Sequence, residues 1–170
     1  RFSDNVHVIE EEDRTIAATV TVEEGERAVV ALLAGEDEPL GIPTIAEIDG
    51  RIDISDDAWR LWAEGLGYDG PHRSEVRRSG LALKLLLYSP TGAIAAAATS
   101  SLPEGIGGSK NYDYRYAWIR DAGYVIKAFL RLGAQAEANA ALSWLMRHIG
   151  EHGAQVLYTL DGGCVPGERD

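Results

Sequence analysis

Residues 111–121 read Asn111-Tyr112-Asp113-Tyr114-Arg115-Tyr116-Ala117-Trp118-Ile119-Arg120-Asp121. Four aromatics, two arginines and two aspartates fall within eleven residues, directly ahead of an apolar helical pattern. These are the groups that hold a pyranose. Aromatic rings stack on its C–H face, while a guanidinium fork and a carboxylate bond its hydroxyls. A structural reading competes with this one: aromatic-rich junctions also plug the gap between a loop and a helix, and a surface Arg-Asp pair contributes little.

Other candidate chemistry is thin. His148 and His152 are four apart, the spacing of metal ligands on one helix face, but Gly150 between them is expected to end the helix and leave both in solvent. His7 and His72 are isolated. The acidic runs Glu10-Glu11-Glu12-Asp13 and Glu23-Glu24-Gly25-Glu26 lack the spaced carboxylates of a calcium loop. The single cysteine, Cys164, cannot form an internal disulfide and fits a reducing compartment, which points weakly to the cytoplasm. No phosphate loop, serine elbow or dinucleotide fingerprint occurs.

The elements that must position the aromatic run follow from periodicity. Residues 6–9, 15–22 and 28–34 are rich in Val, Ile and Thr and read as strands separated by acidic turns. Ser55 ahead of Asp56-Asp57 reads as a helix start, a hydroxyl cap followed by carboxylates on the positive end of the dipole. That helix carries Trp59, Leu61, Trp62 and Leu66 and ends near Gly65 or Gly67. The cluster Gly67-Tyr68-Asp69-Gly70-Pro71 marks a boundary. Beyond it Val76, Leu81, Leu83, Leu85, Leu86 and Leu87 predict a helix with little polar face, buried in a larger bundle and stopped by Pro90-Thr91-Gly92. A helix over Val125, Ile126, Phe129 and Leu130 should stop at Gly133. Another over Ala138, Ala141, Leu142, Leu145, Met146 and Ile149 should stop at Gly150. The short link between these two makes them antiparallel neighbours.

Composition limits the partners. A net charge of −11 argues against nucleic acid and anionic membrane surfaces, both of which need clustered Lys and Arg. No apolar run approaches the roughly 18 residues of a membrane span. Neutral sugars impose no charge requirement. At 170 residues beginning with Arg1, the chain is expected to be a fragment of a longer protein, and its oligomeric state is left open.

From Arg78 onward the chain resembles glycoside hydrolase family 15, the inverting glucoamylase, glucodextranase and bacterial trehalase group. The resemblance runs through Arg78-Ser79-Gly80-Leu81-Ala82-Leu83-Lys84-Leu85-Leu86, Ser101-Leu102-Pro103-Glu104, Gly107-Gly108 and residues 111–121. It continues through Glu137-Ala138, Trp144-Leu145 and Tyr158-Thr159-Leu160-Asp161-Gly162. It implies an α+β fragment: a β-sandwich portion over residues 1–54, a helical linker over 55–70, and the first hairpins of an incomplete (α/α)6 toroid over 71–170. It further implies that Arg120 and Asp121 bind the non-reducing glucose beside the scissile bond, with Tyr114 and Trp118 lining the same pocket. The chemistry agrees, because Arg120 offers fixed donors and Asp121 only accepts, so together they satisfy sugar hydroxyls.

Inverting hydrolysis needs an acid and a base about 6.5–9.5 Å apart. In the family both are glutamates on loops downstream of this segment, so no catalytic residue is assigned here. Glu104 reads as a structural lead-in, Glu168 as part of a terminal loop, and Asp113 as a carboxylate at the helix entrance. Tyr112 and Ala117 stand where many members carry tryptophan and cysteine. The resemblance implies an α-glucoside substrate, closer to the trehalase branch, and no cofactor, since proton transfer and water suffice. The alternative is a non-catalytic carbohydrate-binding or structural protein on the same scaffold.

Overall fold

The computed structural model describes residues 1–35, 39–100, 105–107 and 112–165. The chain is α+β and divides into two compact units, Arg1–Arg60 and Leu61–Asp170.

In the first unit, β1 (Val6–Glu12) and β2 (Thr15–Val20) form an antiparallel hairpin across Asp13-Arg14. The register runs from Glu12 opposite Thr15 to Val6 opposite Val20 and shifts between Val8 and Glu10, the mark of a bulge. The strand expected at 28–34 does not form. Val30 makes only an isolated bridge to Phe2, flanked by Ser3 N–H to Val29 O (2.9 Å) and Ala31 N–H to Arg1 O (3.0 Å). The contact stays a single bridge, and β-branched residues form a ladder only where a facing strand pairs with them.

Helix α1 (Ile45–Glu64) begins ten residues before the Ser55 start read from the sequence. The reason is a capping box. Thr44 Oγ1 accepts the Glu47 N–H at 3.2 Å, and Glu47 Oε2 accepts the Thr44 N–H at 2.7 Å. Ser55 therefore lies within the helix, and Asp56 pairs with Arg60 one turn on at 2.6 Å. Arg27 reaches from the loop after the hairpin to Asp49 (3.1 Å) and Asp53 (2.9 Å) on the same helix.

In the second unit, α2 (Arg73–Leu85) is shorter than expected. Its leucine run leaves the helix at Leu86, and β3 (Leu87–Tyr88) pairs with β4 (Ala93–Ile94), so Pro90-Thr91-Gly92 is a hairpin turn rather than a helix stop. Nor is this helix buried along its length within the chain: Gly80 is its only buried residue, and Leu85 is exposed. A Cβ at Gly80 would stand 3.0 Å from Leu66 and 3.3 Å from Leu132, so the glycine permits this close approach.

Helix α3 (Ile119–Leu132) ends as expected at Gly133 (φ 79°), with Gly133 N–H on Leu130 O and Ala134 N–H on Phe129 O closing the last turn. Helix α4 (Gln135–His152) packs back on α3 as a hairpin. It runs through Gly150 and stops only at Gly153, whose N–H bonds Ile149 O at 2.9 Å. One internal glycine costs a helix about 1 kcal/mol, which lowers its stability without ending it. The core gathers Ala122, Ile126, Phe129 and Leu132 of α3, Ala138, Ala141, Trp144 and Leu145 of α4, Ala93, Ile94 and Tyr158. Leu130, Leu142 and Met146, expected inside, are exposed; Ala122, Leu132 and Trp144 take the inner face.

Glu137 pins three elements at this core's edge. Its carboxylate accepts from Lys84 Nζ (2.5 Å) and from Trp62 Nε1 (2.8 Å), and the ammonium lies 4.9 Å from the Trp62 ring centroid.

Candidate functional site

Strand β5 (Ala117–Trp118) delivers the aromatic run to the mouth of α3. It pairs antiparallel with β6 (Leu157–Tyr158), and the Ile119 N–H extends that pairing to Val156 O at 3.1 Å. On the chain just upstream, Ala97 N–H bonds Tyr114 O (2.7 Å) and Ala96 N–H bonds Tyr116 O (3.0 Å). Backbone bonds thus hold the run between two segments.

The side chains build on this frame. Tyr114 and Trp118 stack with centroids 5.4 Å apart and planes 28° off parallel, and Tyr112 meets Trp118 edge-on at 6.0 Å. Trp118 Nε1 donates to the Asp113 carbonyl at 3.0 Å. Tyr114 and Trp118 are both half-buried, the state expected of rings that keep one face for a ligand.

Arg120 and Asp121 lie in the first turn of α3. Arg120 Nη2 donates to Asp121 Oδ2 at 3.2 Å, and the side chains are 69 % and 31 % exposed. The carboxylate stands near the unpaired N–H groups of the helix start, where the dipole favours negative charge. At this exposure the pair adds little to stability, so its polar capacity is available to a ligand.

The Asp113 carboxylate is engaged by Arg115. It accepts Arg115 Nε at 3.0 Å and Nη2 at 2.6 Å, and its Oδ1 also accepts the Arg115 backbone N–H at 2.9 Å. The Arg115 hydrogen bonds hold its carboxyl below the usual carboxylate range. Arg115 received no role from the sequence, although Asp-x-Arg is the spacing of an Asx turn closed by its own guanidinium. Asn111, Glu104, Gly108 and Glu168 lie outside the described residues.

The histidines differ from expectation. Because α4 continues through Gly150, His148 faces the core, with Nδ1 2.8 Å from the Trp144 carbonyl and its ring 4.6 Å from Trp144. His152 stacks beside it at 6.3 Å and is exposed. No group of three or more metal-binding side chains occurs among the described residues. No helix among them is long and apolar enough to cross a membrane.

Comparison with known proteins adds a family. The model of Glycosyl hydrolases family 15 matches residues 70–163. A trehalase of Thermoplasma acidophilum is 47 % identical over 121 residues, covering 71 % of this chain and 21 % of that protein. A trehalase of Mycobacterium tuberculosis is 37 % identical over 157 residues, covering 89 % of this chain and 23 % of that protein. Trehalase 1 of Sulfolobus acidocaldarius is 39 % identical over 98 residues, 55 % of this chain and 18 % of that protein. The chain thus spans about a fifth of the length of these curated relatives. No solved structure matches it. The family match takes in more than half of the chain and every described residue of the aromatic run, and on that ground the chain belongs to glycosyl hydrolase family 15.

Proposed function

We propose that the full-length protein hydrolyses trehalose with inversion, and that this segment supplies the pocket for the glucose that is attacked. The observation that carries the reading is the convergence at one helix entrance of a stacked Tyr114–Trp118 pair and an Arg120–Asp121 pair with spare hydrogen-bonding capacity. The relatives named trehalase support the choice of substrate.

In this mechanism the ring face rests against the aromatic wall while Arg120 and Asp121 hold outer hydroxyls, fixing the sugar before bond cleavage. An acid protonates the glycosidic oxygen, and a second carboxylate activates water on the opposite face. Both are assigned to glutamates beyond this segment. The architecture proposed to carry them is an (α/α)6 toroid begun by residues 71–170, preceded by a β-sandwich portion (1–54) and a linker (55–70). The α3–α4 hairpin and the exposed Leu130, Leu142 and Met146 suit an element that further helices cover.

The test is proton NMR of trehalose hydrolysis by the full-length protein, read before mutarotation. Inversion at one anomeric carbon releases α- and β-glucose in equal amounts. Release of α-glucose alone would remove the inverting mechanism, and no release would remove the trehalase reading.

A further inference from the structure

The aromatic wall is held by a device that neither the family match nor the relatives' names assign. Asp113 is bonded at both ends. Its carbonyl accepts the Trp118 indole N–H, and its carboxylate is gripped by Arg115 through Nε and Nη2 while also capping the Arg115 backbone N–H. The peptide that orients Trp118 is therefore anchored by a planar, two-toothed ion pair, the geometry that fixes direction as well as charge. The Arg115 side chain itself is 63 % exposed and Asp113 28 % exposed. A pair that open adds little to folding stability, so stability does not explain it.

We propose that Arg115 is a positioning residue for the sugar site: its fork locks Asp113, Asp113 holds the Trp118 indole, and Trp118 presents with Tyr114 the ring face that receives glucose. This rests on the reading of that wall as the glucose pocket. Without the fork the carboxylate keeps only its single bond to the Arg115 backbone N–H, and the carbonyl that holds the indole is less firmly anchored. The wall then samples orientations that do not match the sugar, and misplacement of about 1 Å is enough to lower turnover steeply.

The experiment uses the full-length protein with trehalose and compares Arg115→Ala, Asp113→Asn, the double variant and Arg120→Ala. Asp113→Asn keeps an oxygen for the backbone N–H but removes the charged grip. Each of the first two should lower kcat/KM about ten- to a hundredfold, with KM raised and the unfolding midpoint nearly unchanged. A partly unfolded preparation would lower kcat and leave KM where it was. Because Arg115 acts through Asp113, the double variant should be no worse than the poorer single one. Three results overturn the proposal while Arg120→Ala remains impaired. These are Arg115→Ala within about twofold of the parent, losses that multiply in the double variant, or a lowered unfolding midpoint with KM unmoved. Full activity of Arg120→Ala, or no trehalose hydrolysis by the parent, would instead remove the glucose-pocket reading, and the role of Arg115 with it.

Discussion

Arg120 and Asp121 are adjacent residues on the first turn of a helix, and adjacency on a helix does not make side chains face each other. They meet through Arg120 Nη2 alone, so the guanidinium keeps further donors for a ligand. Arg120→Ala should therefore lower kcat/KM of the full-length protein by about 2–4 kcal/mol, the penalty for a severed charged hydrogen bond in a pocket that the bound sugar closes off from water. Folding stability should change by under about 1 kcal/mol. Arg120→Lys should rescue poorly, since an ammonium is a point donor without the planar fork. Steady-state kinetics beside urea unfolding separate the two quantities. As candidates, the proposed site residues were legible as letters because their types are unusual together. Arg115 was not, because its role depends on which atoms of Asp113 it grips, and spacing does not encode that.

Among the elements, Glu137 offers a titration with a defined sign. Burial raises its pKa, but Lys84 and Trp62 bond the carboxylate and outweigh burial, so the folded pKa lies below the ordinary 4.5. A depressed carboxylate contributes stability above its unfolded pKa and loses it as pH falls through the folded value. Glu137→Gln should thus destabilise by about 1–3 kcal/mol at neutral pH. The gap from the parent should close as the pH drops below 4.5, measured by thermal unfolding. Thr44→Ala should cost about 1 kcal/mol by removing the cap of α1. That cap was written in the sequence as Thr44-Ile45-Ala46-Glu47, yet Ser55-Asp56-Asp57 offers the same residue types inside the helix. Local cap chemistry alone cannot rank two starts on one helix. Gly133 was readable as a stop because its positive φ closes a two-residue link, whereas Gly150 has the same letter without that demand. The hairpin at 87–94 hid within an apolar run, where periodicity does not separate strand from helix.

For the molecule as a whole, the α+β character and family were legible, since separate motifs recur in order over residues 70–163. The burial of α2 and the outer faces of α3 and α4 were not, because leucines placed for packing against further elements read the same whether or not those elements are present. The exposed Leu85, Leu130, Leu142 and Met146 fit surfaces that the remaining four-fifths of a relative's length would cover. The 170-residue chain alone should accordingly self-associate in sedimentation velocity and hydrolyse no trehalose above a buffer blank. Asp121 at the mouth of α3 is proposed to hold the glucose that is cleaved, whatever leaves it. The most direct measurement is kcat/KM of the folded full-length Asp121→Ala variant on two substrates with one glucose in common, trehalose and α-glucosyl fluoride. The expected loss is about 2–4 kcal/mol, equal on both. Near-parent activity, or a loss confined to trehalose, would contradict it.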